Sequence, residues 1–215
     1  LLGSTHRILY LGIDAPEGVF HYPVIRTERI DSPELKSALT LPFTHLIFTS
    51  KNGVRYWPGD LSGVQAIAIG AATAEEARLR RAAVSVAKEA TQEGVASHLQ
   101  TLRLEGAFLV YPRSRRARPF LGEYMKAKEI PHFAFDLYDT VFQKPEPVPN
   151  LADFDEIVFT APSAVEGFIR IFSAVPERIA LTPIGPITKK ALEDYFPPEI
   201  SSHNYNANFK RGGSR

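Results

Sequence analysis

Four short, mostly apolar runs in this chain end in small or hydroxyl residues and then open into a helical pattern. Leu46 to Phe48 is followed by Thr49, Ser50, Lys51, Asn52 and Gly53, and Ala66 to Ile69 by Gly70 and Thr73. Ile157 to Phe159 is followed by Thr160, Ser163 and Ala164, and Ile179 to Ile184 by Gly185 and Thr188. The first turn of a helix leaves backbone N–H groups unpaired and carries about half a positive charge. A carboxylate or phosphate can take up those donors, and a small residue lets it approach closely. Anion binding without a fixed cation is the chemistry this pattern suggests. Capping alone would also explain Ser and Thr at a helix start. Capping does not explain why Leu46 to Val54 recurs in wording as Ile157 to Val165, each copy trailed by an Ile-Gly phrase. Two similar α/β units are expected, with helix N-termini pointing into the space between them.

Arg113, Arg115, Arg116 and Arg118, with Ser114 among them, form the one dense basic cluster. It reads either as a solvated loop, since arginine is mostly exposed in any fold, or as an electrostatic lure for a polyanion, an effect that salt screens. RNA binding is disfavoured by the balance of 25 basic and 24 acidic residues and by the lack of aromatic stacking motifs beside the cluster. Cysteine is absent, which removes disulfides, thiol nucleophiles and thiolate metal sites. The histidines, His6, His21, His45, His98, His132 and His203, are scattered with no metal-ligand spacing. Gly185 to Lys189 is not a phosphate loop, and no GxGxxG is present. No metal, redox cofactor or nucleotide is therefore expected.

The elements that must position these residues alternate strand with helix. Strands are expected at 7–12, 45–49, 65–69, 107–111, 156–160 and 178–184, with extended runs at 22–30 and 132–141. Helices are expected at 33–39, from Lys51 until Pro58-Gly59, and at 72–81, 95–104, 119–128, 163–172 and 188–196, the last closed by Pro197-Pro198. Pro112 to Arg118 is read as a loop, and Gln143 to Asn150, with three prolines, as an extended linker. About ten residues separate the first two extended runs, too few for a full crossover helix. This alternation argues for parallel sheets covered on both faces, with ligands beyond the carboxyl ends of the strands. The 215 residues, 44% apolar, suffice for two small domains. No apolar run nears the roughly 18 residues that span a bilayer, and Leu1 to Arg7 lacks a secretory core. A cytoplasmic protein with no membrane or nucleic-acid partner is expected. Met125 is the only methionine, so Leu1 is not expected to be the translational start, and residues 206–215 read as a loosely ordered tail.

The order of these phrases resembles the uroporphyrinogen-III synthase family. Its Phe-Thr-Ser-like strand ends match Phe48 to Val54 and Phe159 to Val165, and its Ile-Gly-x-x-Thr phrases match Ile69 to Thr73 and Ile184 to Thr188. Its Val-Tyr-x-Thr phrase is met by Leu137-Tyr138-Asp139-Thr140, and its strand before a polar loop by Val110 to Ser114. The first strand lacks the family's Thr-Arg-Pro phrase and following helix. The resemblance implies two doubly wound parallel-sheet α/β domains joined by two extended crossings, here 1–24 with 141–215 and an inserted 25–140. It implies a cofactor-free, monomeric lyase that cyclises a linear tetrapyrrole, hydroxymethylbilane, with loss of water and inversion of the last ring. It also implies that Tyr138 lies at the cleft as proton donor, while the junction residues, Arg113 and Ser114 bind substrate. The competing expectation is a non-enzymatic two-domain sensor for a small anion.

Overall fold

The computed structural model describes residues 6–196. The expected Pro197-Pro198 stop and the tail from 206 lie outside the described residues. In chain order the first elements are β1 (Ile8–Tyr10), β2 (Phe20–His21), β3 (Ile25–Arg29), α1 (Pro33–Thr40), β4 (His45–Phe48) and α2 (Lys51–Tyr56). Next come β5 (Gln65–Ala68), α3 (Ala71–Leu79), β6 (Ala83–Val86), α4 (Gln92–Leu99), β7 (Leu109–Ser114), α5 (Phe120–Ala127) and β8 (His132–Phe142). The chain continues through β9 (Glu156–Phe159), α6 (Pro162–Ile171), β10 (Ala180–Pro183) and α7 (Pro186–Tyr195). Thr27–Thr140 forms one compact unit; the chain up to Arg26 and again from Val141 forms the other. The chain passes between them within β3 and again within β8.

In the Thr27–Thr140 unit the strand order is β3-β8-β7-β4-β5-β6, with β8, β7, β4, β5 and β6 paired in parallel. Alternate side chains of each strand enter different cores. Leu46, Phe48, Ala66 and Val110 pack with Val54, Trp57 and Leu137, whereas Ile47, Ile67, Leu109 and Tyr111 pack with Val95, Leu99, Leu121 and Met125. Strands buried on both faces are apolar throughout instead of alternating, which is why these runs read as continuous. From β4 the chain winds outward through β5 to β6, then returns to place β7 on the other side of β4. The order therefore reverses between β4 and β7, the position where open α/β sheets leave a crevice at their carboxyl edge.

The other unit has the order β10-β9-β1-β2, all parallel, over a core that includes Leu9, Leu11, Ile157, Phe159, Phe168 and Leu181. Its order reverses between β1 and β9. No helix lies between β1 and β2, in keeping with the short spacing, yet the two strands still pair in parallel, Leu9 with Phe20 and Tyr10 with His21.

Several sequence expectations are corrected. Pro112, Arg113 and Ser114 are not loop but the end of β7, paired with Phe135, Asp136 and Tyr138 of β8. β4 pairs with β7 only as far as Val110, so the missing N–H of Pro112 costs no ladder bond on that side. The helix expected at 95–104 starts earlier, because Thr91 Oγ1 accepts the Gly94 N–H at 2.9 Å, and α4 ends at Leu99. α6 and α7 start at Pro162 and Pro186 instead of Ser163 and Thr188, proline being pre-set for the first helical position. Within the extended run 22–30 only Ile25–Arg29 is strand (β3), β2 lies just before it at Phe20–His21, and a 3-10 turn, Leu151–Asp153, closes the linker. No described helix is long and apolar enough to cross a membrane.

Candidate active site

The four repeated junctions share one register. The residue before each helix is Ser50, Gly70, Ala161 or Gly185, and the third helical residue is Gly53, Thr73, Ala164 or Thr188, each of these last four buried. Only Ser50 caps its helix with a side chain, its Oγ accepting the Gly53 N–H at 3.0 Å. Gly70, Ala161 and Gly185 provide no side-chain cap, and Gly185 adopts φ 88°, which strongly favours glycine. Capping by side chains thus accounts for one junction of the four. Thr73 and Thr188 face inward from the first turns, 5% and 3% exposed.

The two switch points differ. After β1 and β9, Gly12 and Thr160 abut: a Cβ at Gly12 would stand 2.6 Å from Thr160 Cγ2. Between β4 and β7 the crevice is lined by hydroxyls. Thr49 and Ser50 follow β4, Ser114 ends β7, and Tyr138 projects from the neighbouring β8, where it is paired with Ser114. The Tyr138 and Ser50 hydroxyls lie 2.7 Å apart, and Tyr111 Oη lies 3.3 Å from Thr49 Oγ1. Tyr138 also packs its ring on Tyr56, with centroids 5.7 Å apart.

The electrostatics follow from this burial. Desolvation pushes the Tyr138 phenol above its usual pKa, opposed by hydrogen bonds to Ser50 and Ser114 and raised further by Tyr56. Those bonds stabilise a phenolate only if the serine hydroxyls donate to the tyrosine oxygen. Ser50 can do so while also accepting the Gly53 amide, since a hydroxyl both donates and accepts. In the arrangement where the serine hydroxyls donate to its oxygen, Tyr138 keeps its own proton to offer outward. Burial likewise raises Tyr111, opposed by the Thr49 hydrogen bond and the charges of Arg113 and Arg118.

The arginine cluster is matched by carboxylates. Arg113 Nε donates to Asp136 at 2.9 Å, Arg115 lies 3.4 Å from Asp139, Arg116 3.5 Å from Asp139, and Arg118 makes bonds of 2.9 and 2.8 Å to Glu93. Four guanidiniums face three carboxylates, so any long-range field from the loop is weaker than the arginines alone suggest. Arg80 grips the other end of α2: it donates to the Val54 carbonyl and, at 2.7 and 2.8 Å, to those of Trp57 and Gly59. A guanidinium at a helix C-terminus satisfies its unpaired carbonyls, and here it fixes the helix that carries Ser50 and Gly53.

The fold thus brings Thr49, Ser50, Gly53, Ser114 and Tyr138 together, with Lys51 and Asn52 opening α2 and Arg113 adjoining. Gly70 and Thr73 stand at the next junction of the same sheet, beyond β5. Thr160, Ser163, Ala164, Gly185 and Thr188 belong to the other unit. Sequence reasoning missed Tyr111 and Tyr56 as neighbours of the site. The signal for Tyr111 was available: it stands where an apolar strand meets the basic run, and a buried tyrosine hydroxyl usually has a partner.

A family model described as "Uroporphyrinogen-III synthase HemD" matches residues 17–208. No curated protein matches the chain. Among solved structures, uroporphyrinogen-III synthetase from Helicobacter pylori 26695 is similar at 17% identity and TM-score 0.64, over 94% of this chain and 92% of that one. A mutant uroporphyrinogen III synthase from the extremely thermophilic bacterium Thermus thermophilus is similar at 16% identity and TM-score 0.54, over 96% and 94%. At such identities these likenesses bear on the fold, which they match as two-domain α/β. The family match spans most of the sequence, and the chain belongs to the uroporphyrinogen-III synthase HemD family, whose members are lyases of tetrapyrrole biosynthesis.

Proposed function

We propose that the hydroxyl cluster between β4 and β7 holds the reacting end of hydroxymethylbilane, with Tyr138 as proton donor to its departing hydroxyl. The carrying observation is the 2.7 Å contact between Tyr138 and Ser50 at the switch point, in a chain of this family. Donation of a proton lets the terminal hydroxyl leave as water and generates an azafulvene. The pyrrole N–H proton is released as the azafulvene forms, and the substituted carbon of the far ring attacks its electrophilic methylene carbon, giving a spiro intermediate whose reopening and closure invert that ring. A buried phenol stays neutral at physiological pH and can donate to the leaving oxygen throughout.

The acetate and propionate arms of the bilane need acceptor-poor, donor-rich surroundings. The uncapped first turn after Gly70, with Thr73 beside it, supplies backbone donors of that kind in the same unit as the hydroxyl cluster. Backbone N–H groups do this without enclosing a fixed lysine or arginine, whose desolvation would be costly. Arg113, held by Asp136, offers its remaining N–H donors to an arriving carboxylate. The larger task is orientation, because the bilane also closes unaided to the type I ring. Holding the reacting atoms in near-attack geometry is worth up to about 7–11 kcal/mol. The sensor reading finds no support in a family of lyases. Monomeric action in the cytoplasm remains part of this proposal.

Binding can be mapped directly. Uroporphyrinogen III, added anaerobically to isotope-labelled protein, is expected to shift the amides of 49–53, 70–73, 113–115 and 138–140. Shifts confined to other surfaces, with these unmoved, would remove the site from the proposal.

A further inference from the structure

The α2 helix meets Tyr138 at both of its ends. Ser50, the residue before its first turn, lies 2.7 Å from the phenol oxygen. Tyr56, its last residue, sets its ring beside the Tyr138 ring, with centroids 5.7 Å apart and planes inclined by 31°. Tyr56 is itself anchored. Its hydroxyl donates to the Thr27 carbonyl at 2.6 Å, and because a phenol has one proton, the 2.9 Å contact with Thr27 Oγ1 is donated by the threonine. The Tyr56 proton is thus committed to the backbone of β3. What this tyrosine offers to the site is its ring.

Tyr138 reaches that ring through an irregularity in β8. Successive strand residues face opposite sides of a sheet: Phe133, Phe135 and Leu137 lie on the α2 side, Ala134 on the other. By that alternation Tyr138 would follow Ala134 and turn away from Ser50. The register shifts instead, Arg113 pairing with Asp136 but Ser114 with Tyr138, so Leu137 is an extra residue. Leu137 and Tyr138 consequently both enter the core that holds Val54 and Trp57. A bulge re-aims a side chain while interrupting the ladder that would otherwise hold it, so the redirected ring depends on its neighbours for alignment. β3 supports both partners, since Thr27 holds Tyr56 and the Ile30 N–H donates to the Leu137 carbonyl at 2.8 Å.

We propose that Tyr56 is a positioning residue of the lyase reaction: anchored to Thr27 by its hydroxyl, it presents the surface against which the bulge sets the Tyr138 ring, and so aims the Tyr138 hydroxyl. This rests on the reading of Tyr138 as proton donor. The test is steady-state turnover of hydroxymethylbilane by Tyr56→Leu and Tyr56→Phe, each made in the parent and in Tyr138→Phe, with a thermal melt beside each. In the parent, Tyr56→Leu is expected to lower kcat about ten-fold with KM nearly constant, because a misplaced catalytic group costs rate. In Tyr138→Phe no proton remains to be aimed, and the same change should lower kcat by less than about two-fold, the non-additivity of two residues acting as one device. Tyr56→Phe keeps the ring and loses the anchor; it should lower kcat only about three-fold in the parent and leave Tyr138→Phe unaffected. That variant carries the same comparison if Tyr56→Leu is unfolded at the assay temperature. Equal fold losses in the two backgrounds would mark Tyr56 as merely structural and overturn the proposal, as would a parental kcat in both Tyr56 variants. Tyr138→Phe turning over at the parental rate would instead remove the donor reading and this proposal with it, so the two failures are distinct.

Discussion

Replacing Tyr138 by Phe removes one oxygen and keeps the ring that packs on Tyr56. Two consequences can be separated. The structural one is loss of the 2.7 Å contact with Ser50, worth about 0.5–1.5 kcal/mol of stability as a net hydrogen bond. The chemical one is loss of the proton donor, and general-acid catalysis typically contributes about 10²–10⁴-fold in rate. Because the hydroxyl of the substrate changes charge only as it departs, the loss should fall on kcat, while KM, set mainly by carboxylate contacts, stays nearly constant. Residual turnover is expected, since orientation of the bilane by the other contacts survives. The assay is steady-state turnover of hydroxymethylbilane with product isomers separated, run beside a thermal melt. A fall in kcat of about 10²-fold with a melting point within a few degrees of the parent would bear out the role. Unchanged kcat refutes it, and a rise in KM alone would make Tyr138 a binding residue.

Ser50→Ala removes both the α2 cap and the hydroxyl contact with Tyr138; it should cost about 1 kcal/mol by melting and lower kcat less than the tyrosine change does. Gly185→Ala forces a side chain onto φ 88° and should destabilise by about 1–2 kcal/mol, read from denaturant midpoints. Arg113→Gln with Arg115→Gln should raise KM chiefly at low ionic strength, and modestly because both guanidiniums already face carboxylates; a KM shift independent of salt would contradict steering. Burial raises the pKa of Tyr111 and Tyr138 above the unfolded value, so the folded state binds more protons above about pH 10 and loses stability as pH rises further. Replacing both tyrosines by Phe should make the alkaline fall in melting temperature shallower.

Much of the fold was legible because strands buried on both faces are written as apolar runs, and Ile47 or Leu109 need no partner to declare that. Boundaries failed where a single local interaction outweighed the pattern. Thr91 draws α4 back by three residues through its hydroxyl cap, and Pro162 and Pro186 open helices that hydroxyl residues were expected to start. Arg113 and Ser114 were hidden because a strand end rich in charge looks like a loop until β8 is seen beside it. The site was legible in parts. Phe-Thr-Ser and the glycines announced strand ends, but no spacing in the sequence brings Tyr138 within reach of Ser50, 88 positions away. Nor does it show that Asp136, Asp139 and Glu93 compensate the arginines, since those pairings depend on strand register and on the approach of α4 to the β7–α5 turn.

The most direct test is the identity of the ring that leaves the reaction. The purified chain, given hydroxymethylbilane without added metal or cofactor, should release the type III isomer in excess over the type I isomer formed spontaneously, and the excess should shrink in Tyr138→Phe. Type I alone, at the rate seen without protein, would contradict the account.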